Sequence, residues 1–124
     1  MKYVRNIGKS KGKVSSYNGY MAGDIVRRLQ HELNIQFGRG IVEDGLVGPL
    51  TLNALILVKK GARGNITKII QELLMNKGYS VGPYGADGIF GNATFNGILK
   101  FQRDNGLSQD GIVGNNTWRA LLKI

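Results

Sequence analysis

One pattern constrains this chain more than any other: Asp-Gly, two apolar residues, Gly, two variable residues and Thr. It is spelled DGLVGPLT at 44–51, DGIFGNAT at 87–94 and DGIVGNNT at 110–117, and an apolar residue follows each time (Leu52, Phe95, Trp118). An Asp-Gly step is turn chemistry, because the carboxylate accepts backbone N–H groups two or three residues on and the glycine takes a positive φ that a side chain resists. The two apolar positions read as a plug into a core, and the second glycine lets the chain turn into a helix. Pro49 suits a first helical position, where its missing N–H costs nothing. Asp44, Gly45, Gly48, Asp87, Gly88, Gly91, Asp110, Gly111 and Gly114 are therefore expected to be structural turn residues. The spaced oxygen ligands and closing glutamate of a calcium loop are absent, so no metal is expected.

The segments between the motifs carry helical periods. Ile25, Leu29 and Leu33 share one face, which predicts a helix over 25–34 with Asp24 as N-cap. Ile66, Ile69, Ile70, Leu73 and Leu74 predict a second, capped by Asn65, with Lys77 in its last turn. Two more are expected over 93–105 and 116–123. LNALILV at 52–58 is apolar almost all round and reads as a buried helix. LQHEL at 29–33 overlays IQELL at 70–74 with a shift of 41, while Asp44 and Asp87 differ by 43. The expected class is mainly α, a small helical bundle of two related repeats that share a core, with the third motif as an added half-unit. The expected divisions are a basic linker or arm at 1–23, a partial repeat at 24–60 and a complete one at 61–124.

Composition narrows the chemistry. The net charge is +9, and Lys2, Arg5, Lys9, Lys11 and Lys13 all precede the first acid, Asp24. A polyanionic partner and a solvated basic linker both fit that distribution. No apolar run exceeds 54–58, so neither a membrane span nor a signal-peptide core is expected. Cysteine is absent, which removes thiolate sites, and no second histidine stands beside His31 to complete a metal site; with one histidine and no Gly-x-Ser-x-Gly elbow, serine hydrolysis has no support. Three of the eight acids lie in the motif turns and Asp24 at a helix start, and nothing singles out a facing pair among the rest. A non-catalytic chain without a cofactor is expected.

Residues 59–122 resemble a complete peptidoglycan-binding module of the three-helix type found at the ends of bacterial wall hydrolases. The landmarks are Gly61, Arg63 and Gly64, then Gln71, Gly78-Tyr79, the second motif, Phe101-Gln102, Gly106-Leu107 and the closing motif with Trp118. Residues 24–60 are similar to the front half of the same module, with Gln30 matching Gln71, but lack the Phe-Gln pair and a closing motif. The tandem resembles the C-terminal wall-binding region of phage endolysins and autolysins, often N-acetylmuramoyl-L-alanine amidases. The resemblance implies peptidoglycan, or an associated anionic wall polymer, as partner, and a covalently linked catalytic domain elsewhere in a parent hydrolase. It implies action at the bacterial wall without membrane insertion, reached from the host cytoplasm if the parent is a phage lysin. Under that resemblance the ligand-binding residues are expected to be Tyr79, Tyr84, Asn92, Thr94, Asn115 and Arg119. The alternative class is a basic nucleic-acid-binding domain, which ranks lower because Arg27-Arg28 is the only Arg pair on a predicted helix.

Overall fold

The computed structural model describes the backbone of residues 18–123 and the side chains of 23–123. Residues 1–17 of the linker expected at 1–23 lie outside the described residues, and 18–23 belong to a helix instead. Five helices run in order: α1 (Asn18–Phe37), α2 (Pro49–Ala54), α3 (Asn65–Asn76), α4 (Asn92–Asp104) and α5 (Asn115–Leu121). The only β pairing among the described residues is two isolated antiparallel bridges, Val58 with Val113 and Arg63 with Ile89. The protein is mainly helical. It divides into two compact units, one ending at Thr51 and the other spanning Leu52–Lys123, with the division inside α2.

In the first unit Ile25, Val26, Leu29 and Leu33 are buried along α1, as their spacing predicts. Asp24 is not its N-cap: α1 begins at Asn18 and Asp24 lies exposed within the helix. Met21 and Ala22 are good helix formers, and no proline stops the helix between 18 and 24. At the other end α1 continues to Phe37, where Gly38 takes φ 61° and its N–H donates to the Asn34 carbonyl (2.9 Å). α2 starts at Pro49, the first helical position expected for it.

In the second unit α3 packs against both α4 and α5. Its buried face is Ile66, Ile69, Ile70, Leu73 and Leu74, opposed by Ile98 and Phe101 of α4 and Trp118 and Leu121 of α5, with Phe90 and Val113 also buried. Gly64, not Asn65, is the N-cap of α3, and α4 and α5 likewise start after Gly91 and Gly114, with no side-chain cap on any of the three. Lys77 is the C-cap of α3; its ammonium donates to the Lys123 carbonyl (2.7 Å), and burial lowers its pKa.

The buried helix expected at 52–58 is not formed. The helix stops at Ala54, and Val58 then pairs with Val113 through Val58 N–H to Val113 O (3.0 Å) and Val113 N–H to Val58 O (2.7 Å). The indole N–H of Trp118, fully buried, donates to the Ile56 carbonyl at 2.7 Å. Residues 55–57 are outside any helix, and Val58 forms the bridge that brings this segment alongside Val113. Leu57, between Ile56 and Val58, is 61% exposed. A short apolar run does not by itself distinguish a helix from an extended segment, and β-branched Ile56 and Val58 suit the latter.

Candidate functional site

Each Asp-Gly turn is held by one buried glutamine from a preceding helix. Gln71 of α3 places its Nε2 within hydrogen-bond reach of Asp87 Oδ1 (3.1 Å), the Ile89 carbonyl (3.0 Å) and Thr94 Oγ1 (2.9 Å), while its Oε1 accepts from Gly88 N–H (2.8 Å). Gln30 of α1 makes the same set with Asp44, Leu46, Thr51 and Gly45, at 3.1, 3.0, 3.0 and 2.8 Å. Gln102 of α4 repeats it with Asp110, Ile112, Thr117 and Gly111, at 2.9, 3.0, 3.1 and 3.0 Å. In every case the same aspartate Oδ1 also accepts the backbone N–H two residues on, at 3.0 Å. These backbone N–H bonds are the first cause that holds all three carboxyls below the usual aspartate range; the glutamine amides add to it. Gly88 shows why no side chain fits behind the aspartate: its φ is 79°, and a Cβ would lie 3.1 Å from the Gly64 carbonyl.

This network occupies Thr94, one of the residues expected to touch ligand. Thr94 is 1% exposed, with its hydroxyl on Gln71. It faces inward because a buried amide needs an acceptor at that point, and Thr51 and Thr117 are buried in the same way.

The remaining candidates fall in separate places. After α3 the chain runs back along α4: Tyr79 reaches Asp104 at its C-terminal end, the Ser80 carbonyl lies against Gly97, and Gly82 lies against Ala93 at its N-terminal end. Tyr79 is half-buried; its ring meets Phe101 edge-on (centroids 5.5 Å apart, 85°), and its hydroxyl donates to Asp104 Oδ2 at 2.7 Å. That hydrogen bond is the leading cause that raises the Tyr79 pKa and lowers that of Asp104. Tyr84 is 83% exposed, at the tip of a turn closed by Gly85 N–H to the Gly82 carbonyl (3.2 Å). Gly82 against Ala93 brings that turn beside exposed Asn92, the first residue of α4. Gly85 also lies near the Met75 methyl, on an exposed part of α3. α4 is about 20 Å long, so Tyr79 and Tyr84 mark opposite ends of it. Asn115 and Arg119 are exposed on α5, and no hydrogen bond among the described residues joins them to the Tyr84 turn.

Sequence reasoning missed Met75 beside the turn and the linking role of the three glutamines, although Gln30 and Gln71 were matched by position. A glutamine preceding each Asp-Gly-x-x-Gly-x-x-Thr was the available signal. His31 lies elsewhere, exposed, with Nδ1 3.1 Å from Glu43 Oε1; Asn34 donates to the other carboxylate oxygen (2.9 Å) and is the main cause that lowers the Glu43 pKa. Among the described residues no three His, Asp or Glu side chains gather as a metal site would require, and no helix is long and apolar enough to cross a membrane.

Comparison with known proteins follows the same segment. A family model described as a peptidoglycan binding domain matches residues 63–121. The N-acetylmuramoyl-L-alanine amidase CwlL of Bacillus licheniformis is 40% identical over 68 residues, covering 55% of this chain and 19% of the amidase. The chain thus spans about a fifth of the length of that relative. A peptidoglycan-binding protein from Clostridioides difficile, solved with glutamine hydroxamate, is 41% identical with a TM-score of 0.50, over 53% of this chain and 40% of that one. The SleB N-terminal domain is 32% identical with a TM-score of 0.52, over 55% of this chain and 90% of that domain.

Proposed function

The chain belongs, through residues 63–121, to the peptidoglycan-binding domain family, and from that premise we propose that it holds an attached wall hydrolase on its insoluble substrate. It does no chemistry itself. Tethering raises the local concentration of the linked enzyme without any new contact to that enzyme's own cleft. The amidase relative supports an N-acetylmuramoyl-L-alanine amidase, of endolysin or autolysin kind, as the parent. The recurrence of the glutamine-held turn in both units supports reading residues 24–60 and 61–124 as two related repeats.

The observation that carries the ligand surface is Tyr84, a ring 83% exposed on a hydrogen-bonded turn beside Asn92. An aromatic face held in water has little structural use, and stacking on a sugar ring gives it one. We place glycan contact on the Tyr84 turn and Asn92, with Tyr79, Asn115 and Arg119 as outlying contacts.

The test is sedimentation with purified sacculi. The chain is expected to co-sediment and to release no soluble fragments or reducing ends, and duplex DNA at physiological salt should not compete. Tyr84→Ala should weaken binding by about 1 kcal/mol, roughly fivefold in Kd. Asn92→Ala should weaken it with an unchanged melting temperature. Turnover abolished by a point mutation would refute the non-catalytic reading; sacculi binding indifferent to Tyr84→Ala would refute the surface alone.

A further inference from the structure

The glutamine clamp needs little chain to close. Gln102 and Asp110 are 8 residues apart, whereas Gln71 and Asp87 are 16 apart and make the same contacts. The longer link leaves α3, runs along α4 and ends in the Tyr84 turn, none of which the clamp itself requires. The first unit, with 14 residues between Gln30 and Asp44, ties its link down by polar bonds: Asn34 donates to the Ile41 carbonyl (2.8 Å) and to Glu43 (2.9 Å), and accepts from the Ile41 N–H (2.8 Å). Aligning Gln30 with Gln71 sets Met75 at the position of Asn34. Met75 is 47% exposed, and its methyl lies 3.8 Å from where a Cβ on Gly85 would stand. The second unit thus presents a thioether and a phenol ring where the first has a tethered amide.

Charge is sparse around that turn. Residues 78–99 contain no lysine or arginine, in a chain that has 17, and their one charged residue is Asp87, whose Oδ1 already serves Gln71 and the Ile89 N–H. The flanking charges balance. Arg63, whose backbone pairs with Ile89, and Lys68 stand against Asp87 and Glu72, with Lys68 and Glu72 one turn apart on α3. Lys77 and Lys60 are committed elsewhere, the first to the Lys123 carbonyl and the second over the Phe95 ring, 5.7 Å from its centroid. No surplus cation is left to neutralise an anionic polymer, and no surplus carboxylate to hold an amine.

We infer that the Tyr84 turn takes an uncharged N-acetylated amino sugar, with Met75 as the residue that selects the acetyl group. This rests on reading the turn as a glycan contact. The Tyr84 ring stacks on the pyranose face, the acetamide methyl meets the Met75 thioether, and the Asn92 amide serves the polar end of the acetamide. A sugar stripped of its acetyl group offers Met75 an ammonium in place of a methyl, which the thioether cannot solvate. An anionic wall polymer gains nothing here. The chain's positive charge, carried elsewhere, and its sugar contact are therefore separate properties.

The experiment is NMR titration of the full chain with the N-acetylglucosamine tetramer, the same tetramer without its acetyl groups, and polyglycerol phosphate. The acetylated tetramer should move the Tyr84, Gly85 and Asn92 amides and the Met75 methyl, with the same Kd in low and high salt. The other two probes should act there at least about tenfold more weakly. Met75→Gln keeps helix propensity but loses the apolar contact, and should weaken the tetramer about fourfold; Met75→Leu should bind it like the parent. Equal or tighter binding of either control probe at these amides, or a Met75→Gln variant equal to the parent, would overturn the inference. If the tetramer moves none of these amides while Tyr84→Ala still weakens binding to sacculi, the sugar assignment falls and the Tyr84 surface stands. Sacculi binding indifferent to Tyr84→Ala removes both.

Discussion

Removing the Gln71 amide would take a hydrogen bond from four groups at once: the Gly88 N–H loses its acceptor, while the Ile89 carbonyl, the Thr94 hydroxyl and Asp87 Oδ1 each lose one partner and keep another. Two of them belong to buried residues, so Gln71→Ala is expected to lower unfolding free energy by about 3 kcal/mol, measured by urea titration. Asp87→Ala should destabilise less, because Gln71 then keeps its other partners and the lost carboxylate faced water. Acid should act on all three turns. Their carboxyls titrate below the ordinary aspartate value of 3.8 when folded. A lowered folded-state pKa means that the stabilisation is complete above the unfolded value and is lost as pH falls through the folded one. The melting temperature should therefore be flat from about pH 7 to 5 and fall below about pH 4, with a shallower fall in Asp87→Asn. A decline already under way near neutrality would show that other groups control it.

At the scale of elements, glycines rather than polar side chains precede α3, α4 and α5. Those helices therefore depend on the turns before them and on their buried faces. The 55–58 segment depends on α5 through Trp118. Trp118→Phe keeps an aromatic ring in the core but leaves the Ile56 carbonyl without its donor. We expect a loss of about 1–2 kcal/mol, read by thermal unfolding. Faster proteolysis between 55 and 58 than within α3 should accompany it.

At the scale of the whole molecule, the division after Thr51 makes a prediction about truncation. A chain that starts at Leu52 keeps Ile56 and Val58, and hence the bonds to Trp118 and Val113; one that starts at Gly61 loses both. The longer fragment should unfold cooperatively, with the shorter melting lower or self-associating through the uncovered Trp118 and Val113 face. Circular dichroism beside analytical ultracentrifugation checks this, and equal melting temperatures for the two fragments would remove the role assigned to 55–58. The family match at 63–121 begins after that segment. A module cut to the limits of the family resemblance would therefore lack part of what holds it.

The sequence by itself determined what near neighbours decide. Five apolar residues at helical spacing sufficed for α3, Pro49 marked the start of α2, and each Asp-Gly step carries in its own backbone the reason for its turn. The family was legible for the same reason: its landmarks are short and local. Tertiary structure decided everything whose partner is distant along the chain. Residues 55–58 leave the helix for distant partners: Val58 exchanges two backbone bonds with Val113, and the Ile56 carbonyl accepts from the buried indole of Trp118, 62 residues on. Thr94 turns inward because Gln71, 23 residues earlier, requires its oxygen. Tyr79 and Tyr84, five positions apart, are carried to opposite ends of α4 because the chain between them lies along that helix. Burial makes each choice binding, since a polar group withdrawn from water must find its partner inside the protein, however far away in sequence that partner lies.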